Sequence, residues 1–247
     1  MTSNGLKIAY VGISRTAGRS IGEFLSYNLE RRIKVNNPAG MKEGSAEFYS
    51  RFNLFEGHFG YQTLPLPRCF KYVTVLREPI SRIAETYGQF MGSIQQEIAI
   101  KMRAENWSFT DFITSDDLNA KHWVNNSTVY ISGIKTTATE MDIGELLDTA
   151  IENLKYNFDF VGIYERFDDT IFAMKEKYNL KGDVPKIGKS VDQEKYELTG
   201  EEIAVAKKVL LPDLILYRVA EQLFDATYRQ AKEGFCRSRI GMTNALA

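Results

Sequence analysis

The chain has few of the residues that mark disulfide-bonded or metal-dependent proteins. Its 247 residues include two histidines and two cysteines, and Cys69 and Cys236 lie far apart with no CxxC spacing. Disulfide scaffolds use many more cysteines, and zinc sites need closely spaced Cys or His ligands. The sequence therefore predicts reduced thiols in a reducing compartment and no metal site.

Long apolar runs and a large net charge are also lacking. No segment approaches the ~20 apolar residues needed to cross a bilayer, so we expect neither a membrane span nor a secretion anchor. Lys and Arg total 31 against 32 for Asp and Glu, a formal net charge of -1. Since no overall field attracts nucleic acid or an anionic membrane, any anion must be bound by a local cluster.

What remains is an ordinary globular composition. Apolar residues make up 44% of the chain and charged residues 26%, as in folded domains generally. A chain of this length buries a sizeable core without covalent links, and it has no internal repeat or low-complexity linker. We therefore expect one domain covering residues 1–247.

Apolar patterning predicts an α/β fold. Short β-branched segments at Lys7–Ile13, Phe70–Leu76 and Phe158–Tyr164 are typical of buried strands. Apolar residues at helical spacing follow the first two strands and flank the third. This alternation favours a three-layer arrangement, a parallel sheet with helices on both faces.

The C-terminal third is predicted to be helical. Asp168 is placed to cap one helix, Thr199 with Glu202 forms a capping-box pattern before a second, and Pro212 separates that helix from a last one. The polar stretch Lys181–Leu198 is the one long loop, and it is a candidate lid.

The loop after the first strand has the features of an anion site. Residues Gly12 to Ser20 (GISRTAGRS) join the strand to a helix start, where free N–H groups and the helix dipole favour phosphate. Ala17 and Gly18 are small enough for close backbone approach. Hydroxyl and guanidinium groups cluster at the same point, on Thr16, Ser20, Arg15 and Arg19. The alternative is an ordinary capped turn with solvated arginines.

This loop differs from the Walker A motif of ATP- and GTP-binding proteins. Five residues, not four, separate Gly12 from Gly18, and Arg19 stands where that motif has Lys. An ATP- or GTP-dependent motor is therefore disfavoured. The rival enzyme hypothesis is a nucleotide-dependent small-molecule kinase, for which Ser20 and Arg19, the nearest equivalents of its magnesium ligand and loop Lys, fit poorly.

A second guanidinium follows the second strand. Arg77, in the segment LREPISR, precedes a helix start, and the carboxyl ends of parallel strands share one edge of a sheet. The sequence thus predicts a second anion pocket beside the first, unless Arg77 merely pairs with Glu78 or another surface carboxylate.

These segments resemble a known family. IAYVGISRTAGRSIGEFL is similar to the 5′-phosphosulfate loop, and KYVTVLREPISRI to the 3′-phosphate motif, of the Golgi-type carbohydrate sulfotransferases. The nearest pattern is that of the uronyl 2-O-sulfotransferases and their bacterial relatives. Residues 160–168 resemble the family's VGxxERFD segment, and Asp213–Tyr217 its D-x-x-L-Y signature. The resemblance runs from about Lys7 to Phe224.

The resemblance implies a P-loop-like fold that binds 3′-phosphoadenosine 5′-phosphosulfate (PAPS) and transfers its sulfuryl group to a hydroxyl. Arg15 falls at the family's loop Lys, which contacts the departing phosphate and the sulfuryl oxygens, and the loop through Ser20 binds the donor. Arg77 falls at the arginine that holds the 3′-phosphate.

The family's serine eight residues after that arginine is replaced here by Glu85. Thr86 or Ser81 is expected to substitute, or the alignment shifts by one residue. Lys186 and Lys189 are expected to close over the nucleotide, unless they belong to a solvated charge run.

FEGHFGY resembles the family's GH segment, in which a histidine removes the acceptor proton. The candidate base is therefore His58, since imidazole titrates near neutral pH. Glu56 lies on the same face of an extended segment and is expected to orient the ring or bind the acceptor. His122 is expected to shape the acceptor cleft. Without the resemblance, His58 would be interpreted as a histidine bonded to backbone near a turn.

The predicted acceptor is a hydroxyl of a glycan, lipid or natural product, because the near-neutral charge offers no groove for a long polyanion. No divalent ion is expected to be required. The absence of an anchor favours a cytoplasmic enzyme like the family's bacterial members. A non-catalytic nucleotide-binding protein, suggested by Glu85, is the remaining alternative.

Overall fold

The structure is a computed structural model, and it describes residues 5–35, 41, 45–92, 95–134, 143–185, 187 and 196–244, with side chains to residue 237. Its strands are β1 (Ile8–Val11), β2 (Arg32–Val35), β3 (Leu54–Gly57), β4 (Lys71–Leu76) and β5 (Phe158–Ile163). Its α-helices are α1 (Gly18–Asn28), α2 (Ala46–Ser50), α3 (Pro79–Met91), α4 (Glu97–Ala104), α5 (Phe109–Thr114), α6 (Leu118–Lys121), α7 (Asn126–Ser132), α8 (Ile143–Tyr156), α9 (Phe167–Tyr178), α10 (Gly200–Val209) and α11 (Leu211–Asn244).

The five strands form one parallel sheet in the order β2-β3-β1-β4-β5. β1 is central, with Ile8 beside Leu54 of β3 on one side and beside Lys71 of β4 on the other. All four residues of β1 are buried, as expected for a strand covered on both faces. The predicted α/β architecture, a parallel sheet flanked by helices, is confirmed.

Two strands lay outside the sequence-based prediction. β2 (RIKV) mixes charged with apolar residues, and β3 (LFEG) is short and carries a carboxylate. Gly57 ends β3 with a φ of +147°, and a Cβ there would lie 2.2 Å from the carbonyl oxygen of Val35. Only glycine permits this close pairing of β2 with β3.

The helices bury their apolar faces in two clusters. Helices α1, α8, α9 and α11 contact the sheet, and α1 buries Ile21, Phe24 and Leu25, as its spacing predicts. A second cluster joins α3 to the short helices α4 and α5 and to α10. Because α3 begins directly after β4, this second cluster lies beside the carboxyl edge of the sheet.

Most predicted helix boundaries are confirmed. Thr199 and Glu202 form the capping box, with the Glu202 amide donating to the Thr199 hydroxyl at 3.2 Å and the Thr199 amide to the Glu202 carboxylate at 2.8 Å. Pro212 is the second residue of α11. Asp168 is not a cap, since α9 begins at Phe167; its charge instead lies in the first turn, where it complements the helix dipole.

The described residues from α9 onward are mainly helical, as predicted for the C-terminal third. The short helices between Glu97 and Ser132 were not predicted. A single domain stays a prediction. Among the described residues, no helix combines the length and apolar character that a bilayer span requires.

Candidate active site

The two predicted anion-binding segments lie side by side. β1 and β4 pair in parallel, with Val11 beside Thr74, so the loops that follow them emerge from the same edge of the sheet. A hydrogen bond of 3.0 Å from the Arg77 Nη1 to the carbonyl oxygen of Arg15 joins the loops. The sheet therefore brings together the two guanidinium groups that the sequence singles out.

The backbone of the first loop is held in an unusual conformation. Arg15 has a φ of +69° and Ala17 a φ of +58°, in the left-handed region that costs a side-chain-bearing residue about 1–2 kcal/mol. Thr16 between them is fully buried, and its hydroxyl donates to the carbonyl of Ile13 at 2.8 Å. Strain of this kind is characteristic of functional sites.

Ala17 is the N-cap of α1, and no side chain caps this helix start within the described residues. The first amides of a helix have no partner inside the helix and carry its positive dipole end. The amides of Gly18 and Arg19 are therefore suited to an anionic ligand.

Arg15 and Arg77 converge on one carboxylate. Arg15 Nη1 lies 3.4 Å from Glu85 Oε1, and Arg77 Nη1 donates to Glu85 Oε2. The Arg77 guanidinium also stacks over the Tyr164 ring, 4.5 Å from its centroid. Burial lowers the pKa of Arg15, Glu85 raises it, and the nearby Arg77 and Arg19 lower it further. The site is thus a concentration of positive charge that one carboxylate partly neutralises.

Hydrogen-bonding capacity remains unused in this cluster. Arg15 Nη2 and Arg77 Nε are both buried, and neither has an acceptor among the described residues. Buried donors are rarely left unpaired, because each loses its bonds to water. A phosphate or sulfate ligand has the acceptor oxygens that these two nitrogens lack.

His58 is attached to the same loop. Its Nδ1 lies 2.8 Å from the carbonyl oxygen of Gly12, at the end of β1. Since a carbonyl oxygen can only accept, Nδ1 carries the proton, and in the neutral ring Nε2 has the free lone pair. The residue is exposed. The exposed imidazole is therefore attached to the loop that follows β1, with its Nδ1 on the backbone carbonyl of Gly12.

Glu56 does not orient that ring. Its buried carboxylate binds Arg32 of β2, and a Cβ on Gly22 of α1 would lie 1.7 Å from its Oε2. Burial raises the pKa of Glu56 in spite of the neighbouring Arg32. Glu56 thus joins α1 to β2 and β3, and the backbone carbonyl of Gly12 takes the orienting role expected of it.

Thr86 and Ser81, the expected substitutes for the serine of the motif that this segment resembles, have other partners or surroundings. Thr86 is buried, and its hydroxyl donates to the carbonyl of Arg82 at 2.9 Å. Ser81 is exposed, and its amide donates to Glu78. Of these three side chains, Glu85 is the one bonded to Arg77 in the described part of the chain, and which of them takes the place of the serine stays a prediction.

The other residues predicted to bind the donor differ in their surroundings. The Ser20 hydroxyl accepts a hydrogen bond from the Ile187 amide at 3.2 Å, which ties residue 187 to the start of α1. Arg19 is exposed. Lys186 and residues 188–195 of the candidate lid, Lys189 among them, lie outside the described residues.

Comparison with known proteins identifies no family for this chain: no family model and no curated protein matches it. Among solved structures, the chain is similar to the crystal structure of the mouse sulfotransferase SULT7A1 complexed with PAP (3′-phosphoadenosine 5′-phosphate). The identity is 13%, the match covers 96% of this chain and 91% of the other, and the TM-score is 0.33. A likeness at this level assigns no activity to this chain.

Three residues that contact elements of the site, Tyr164, Glu165 and Tyr217, were given no role from the sequence. Tyr164 supports the Arg77 guanidinium. Glu165 accepts from the amide of Glu78 at 3.0 Å and from the hydroxyl of Tyr217 at 2.7 Å, and so holds the start of α3 against α11. All lie in segments that resembled family motifs, which was the available signal.

His122 lies on the His58 side of the site. Burial lowers the pKa of His122, and the charge of nearby His58 lowers it further. Its Nε2 is 3.5 Å from the Tyr130 hydroxyl, and its ring packs against Trp123. The described residues contain no group of three His, Cys, Asp or Glu placed to hold a metal ion.

Proposed function

We propose that this protein is a sulfotransferase that moves the sulfuryl group of PAPS to a hydroxyl of a glycan or small-molecule acceptor. The observation that carries the proposal is the hydrogen bond between His58 Nδ1 and the carbonyl of Gly12. This hydrogen bond holds His58, the proposed proton acceptor, against the loop that we propose binds the anionic donor. Transfer to an alcohol needs both groups at one place.

The donor's two anionic ends have separate candidate partners. The 5′-phosphosulfate is assigned to the amides at the start of α1 and to Arg15, whose Nη2 has no acceptor among the described residues. The 3′-phosphate is assigned to Arg77, whose Nε likewise has no acceptor in the described part of the chain. Thr16 shapes the loop from within, since its hydroxyl is committed to Ile13.

In the proposed reaction, His58 Nε2 takes the proton of the acceptor hydroxyl as the oxygen attacks sulfur. The new oxygen–sulfur bond forms as the bond from sulfur to the bridging phosphate oxygen breaks, and 3′-phosphoadenosine 5′-phosphate (PAP) leaves. Arg15 and the loop amides stabilise the charge that develops on the departing phosphate. His122 and Tyr130 border the side from which the acceptor approaches.

The rival kinase hypothesis makes a different prediction for nucleotide binding. A sulfotransferase is stabilised by PAP, whereas a kinase is stabilised by ATP with Mg²⁺. We expect PAP to raise the melting temperature of the wild type, and to raise it much less in Arg77→Ala. Arg218→Ala, which removes an exposed arginine of α11, is the matched control. A larger shift with ATP and Mg²⁺ than with PAP would favour the kinase.

Activity itself is tested by transfer of labelled sulfate from PAPS to a panel of hydroxyl compounds. The panel should span neutral glycans, lipids and small phenols or alcohols, because the net charge of -1 favours acceptors of low charge. PAP binding without transfer to any acceptor would favour the non-catalytic nucleotide-binding protein. The proposed cytoplasmic location is tested by fractionation of the cells that make the protein.

A further inference from the structure

Glu85 occupies the place between the two arginines of the site. Of the three side chains, Glu85 is the most exposed at 36%, against 19% for Arg15 and 12% for Arg77. The carboxylate is therefore the group of the three that solvent reaches most easily. One of its oxygens is bonded to each arginine.

The Glu85 carboxylate accepts hydrogen bonds from only some of the N–H donors of Arg15 and Arg77. Arg15 and Arg77 repel each other, which lowers the pKa of Arg15, and Glu85 offsets that repulsion. With these two oxygens, Arg15 Nη2 and Arg77 Nε still have no acceptor within the residues that the structure describes. A phosphate has more oxygens and more charge than a carboxylate, so it would satisfy the pair better, but it cannot share the place with a negative group at hydrogen-bonding distance.

We infer that Glu85 is a specificity-determining residue that competes with the ligand's 3′-phosphate for Arg77. The carboxylate must leave Arg77 before a phosphate binds there, so the wild-type site gains less affinity from a 3′-phosphate than a site without the carboxylate would. A nucleotide with only a 5′-phosphate places no phosphate on Arg77 and avoids this competition. The inference rests on the proposed function, since it takes an adenine nucleotide as the ligand.

The test compares two nucleotides that differ by that one group, PAP and adenosine 5′-phosphate, by titration calorimetry at fixed ionic strength. Glu85→Ser removes the carboxylate and leaves space, and Glu85→Gln keeps the size and one acceptor oxygen. Glu176→Gln, at an exposed position of α9, removes the same charge elsewhere and is the matched control. Circular dichroism establishes that each variant is folded.

We expect Glu85→Ser to bind PAP at least about tenfold more tightly than the wild type, because like charges in contact are strongly unfavourable. Its affinity for adenosine 5′-phosphate should change by less than about threefold, and Glu85→Gln should lie between. Glu176→Gln should match the wild type for both nucleotides.

The melting temperatures of the same variants give a second measurement, which does not depend on the affinities from calorimetry. Without its carboxylate the arginine pair is left unneutralised, so Glu85→Ser should melt at a lower temperature than the wild type. PAP should restore more of that loss than adenosine 5′-phosphate does.

Two results overturn the inference alone: unchanged PAP affinity in Glu85→Ser, or an equal gain for both nucleotides. If neither nucleotide binds any of the folded proteins, the proposed function fails, and the assignment of Glu85 fails with it.

Discussion

Arg82 and Asp213 form an ion pair in which both side chains are inaccessible to solvent, with Arg82 Nη2 3.2 Å from Asp213 Oδ2. The other oxygen of Asp213 accepts from the amide and the hydroxyl of Thr128 at 2.8 and 2.7 Å. Arg82 lies in α3, Thr128 in α7 and Asp213 in α11. The pair thus joins α3, the helix that carries Glu85, to α7 and α11.

Asp213→Ala should lower the free energy of unfolding by about 3–5 kcal/mol, because it leaves a buried guanidinium without its counter-charge. Asp225→Ala, which removes a 57% exposed partner of Arg166, should cost less than about 1 kcal/mol. Urea denaturation measures both. Equal losses in the two variants would show that the buried pair has no special role.

His58→Ala should reduce turnover by roughly two to three orders of magnitude, the scale for loss of a positioned acid–base group. His58→Asn is the sharper variant, since its amide nitrogen can still donate to Gly12 while no base remains. Both variants should bind PAP like the wild type. If His58→Asn turns over within a few-fold of the wild type, the ring only holds the loop.

Arg15→Ala should likewise lower turnover by roughly two to three orders of magnitude, because one donor aimed at developing charge is worth about 3–4 kcal/mol in the barrier. Arg15→Lys keeps the charge but loses the planar pair of donors, so its turnover should lie between those of Arg15→Ala and the wild type. The exposed Arg51, paired only with Glu47 in the described structure, supplies the control Arg51→Ala. Steady-state kinetics with PAPS separates the effects on kcat from those on KM.

The free energy of unfolding should fall as the pH is lowered, in part because the Asp159 carboxylate becomes protonated. Burial opposes ionisation of this carboxyl, but the hydrogen bond from Tyr178, with Lys177 and Lys71 nearby, holds its pKa below the usual 3.8. A carboxyl with a depressed folded-state pKa stabilises the protein above the unfolded-state value and loses that contribution as pH falls through the folded-state value.

The measurement is the free energy of unfolding of wild type and Asp159→Asn from pH 7 to pH 2. The variant should be less stable at pH 7 and should lose less between about pH 4 and pH 2. Parallel curves across that range would mean that Asp159 contributes nothing to the acid sensitivity.

The sheet was predictable where apolar residues dominate a strand. β1 is wholly apolar, β4 and β5 are six residues long with one charged residue each near the start, and the loops after β1 and β4 follow from them. β2 and β3 were missed because each is only four residues long and carries charge in its interior, and the Glu56–Arg32 pair that makes this charge tolerable joins residues 24 positions apart. Local pattern cannot reveal a partner at that separation.

The candidate site was predictable as a set of residues but not as a set of contacts. The arginines and His58 were found from the loop pattern and from the resemblance. The orienting group of His58 is a backbone carbonyl 46 residues away, which no side-chain pattern encodes. Glu85 was predicted only as an exception to a motif. Its place between Arg15 and Arg77 depends on the pairing of β1 with β4, which puts the loop that carries Arg15 beside Arg77 and the start of α3.

One short loop holds both sides of the site through its backbone: the carbonyl of Gly12 receives His58, and the carbonyl of Arg15 receives Arg77. Any ligand that reshapes this loop must therefore reposition the imidazole and the second guanidinium together. We expect compulsory-order kinetics as a result, with the nucleotide entering before the alcohol and leaving after the sulfated product. Product-inhibition patterns, in which PAP competes with PAPS alone, would reveal that order.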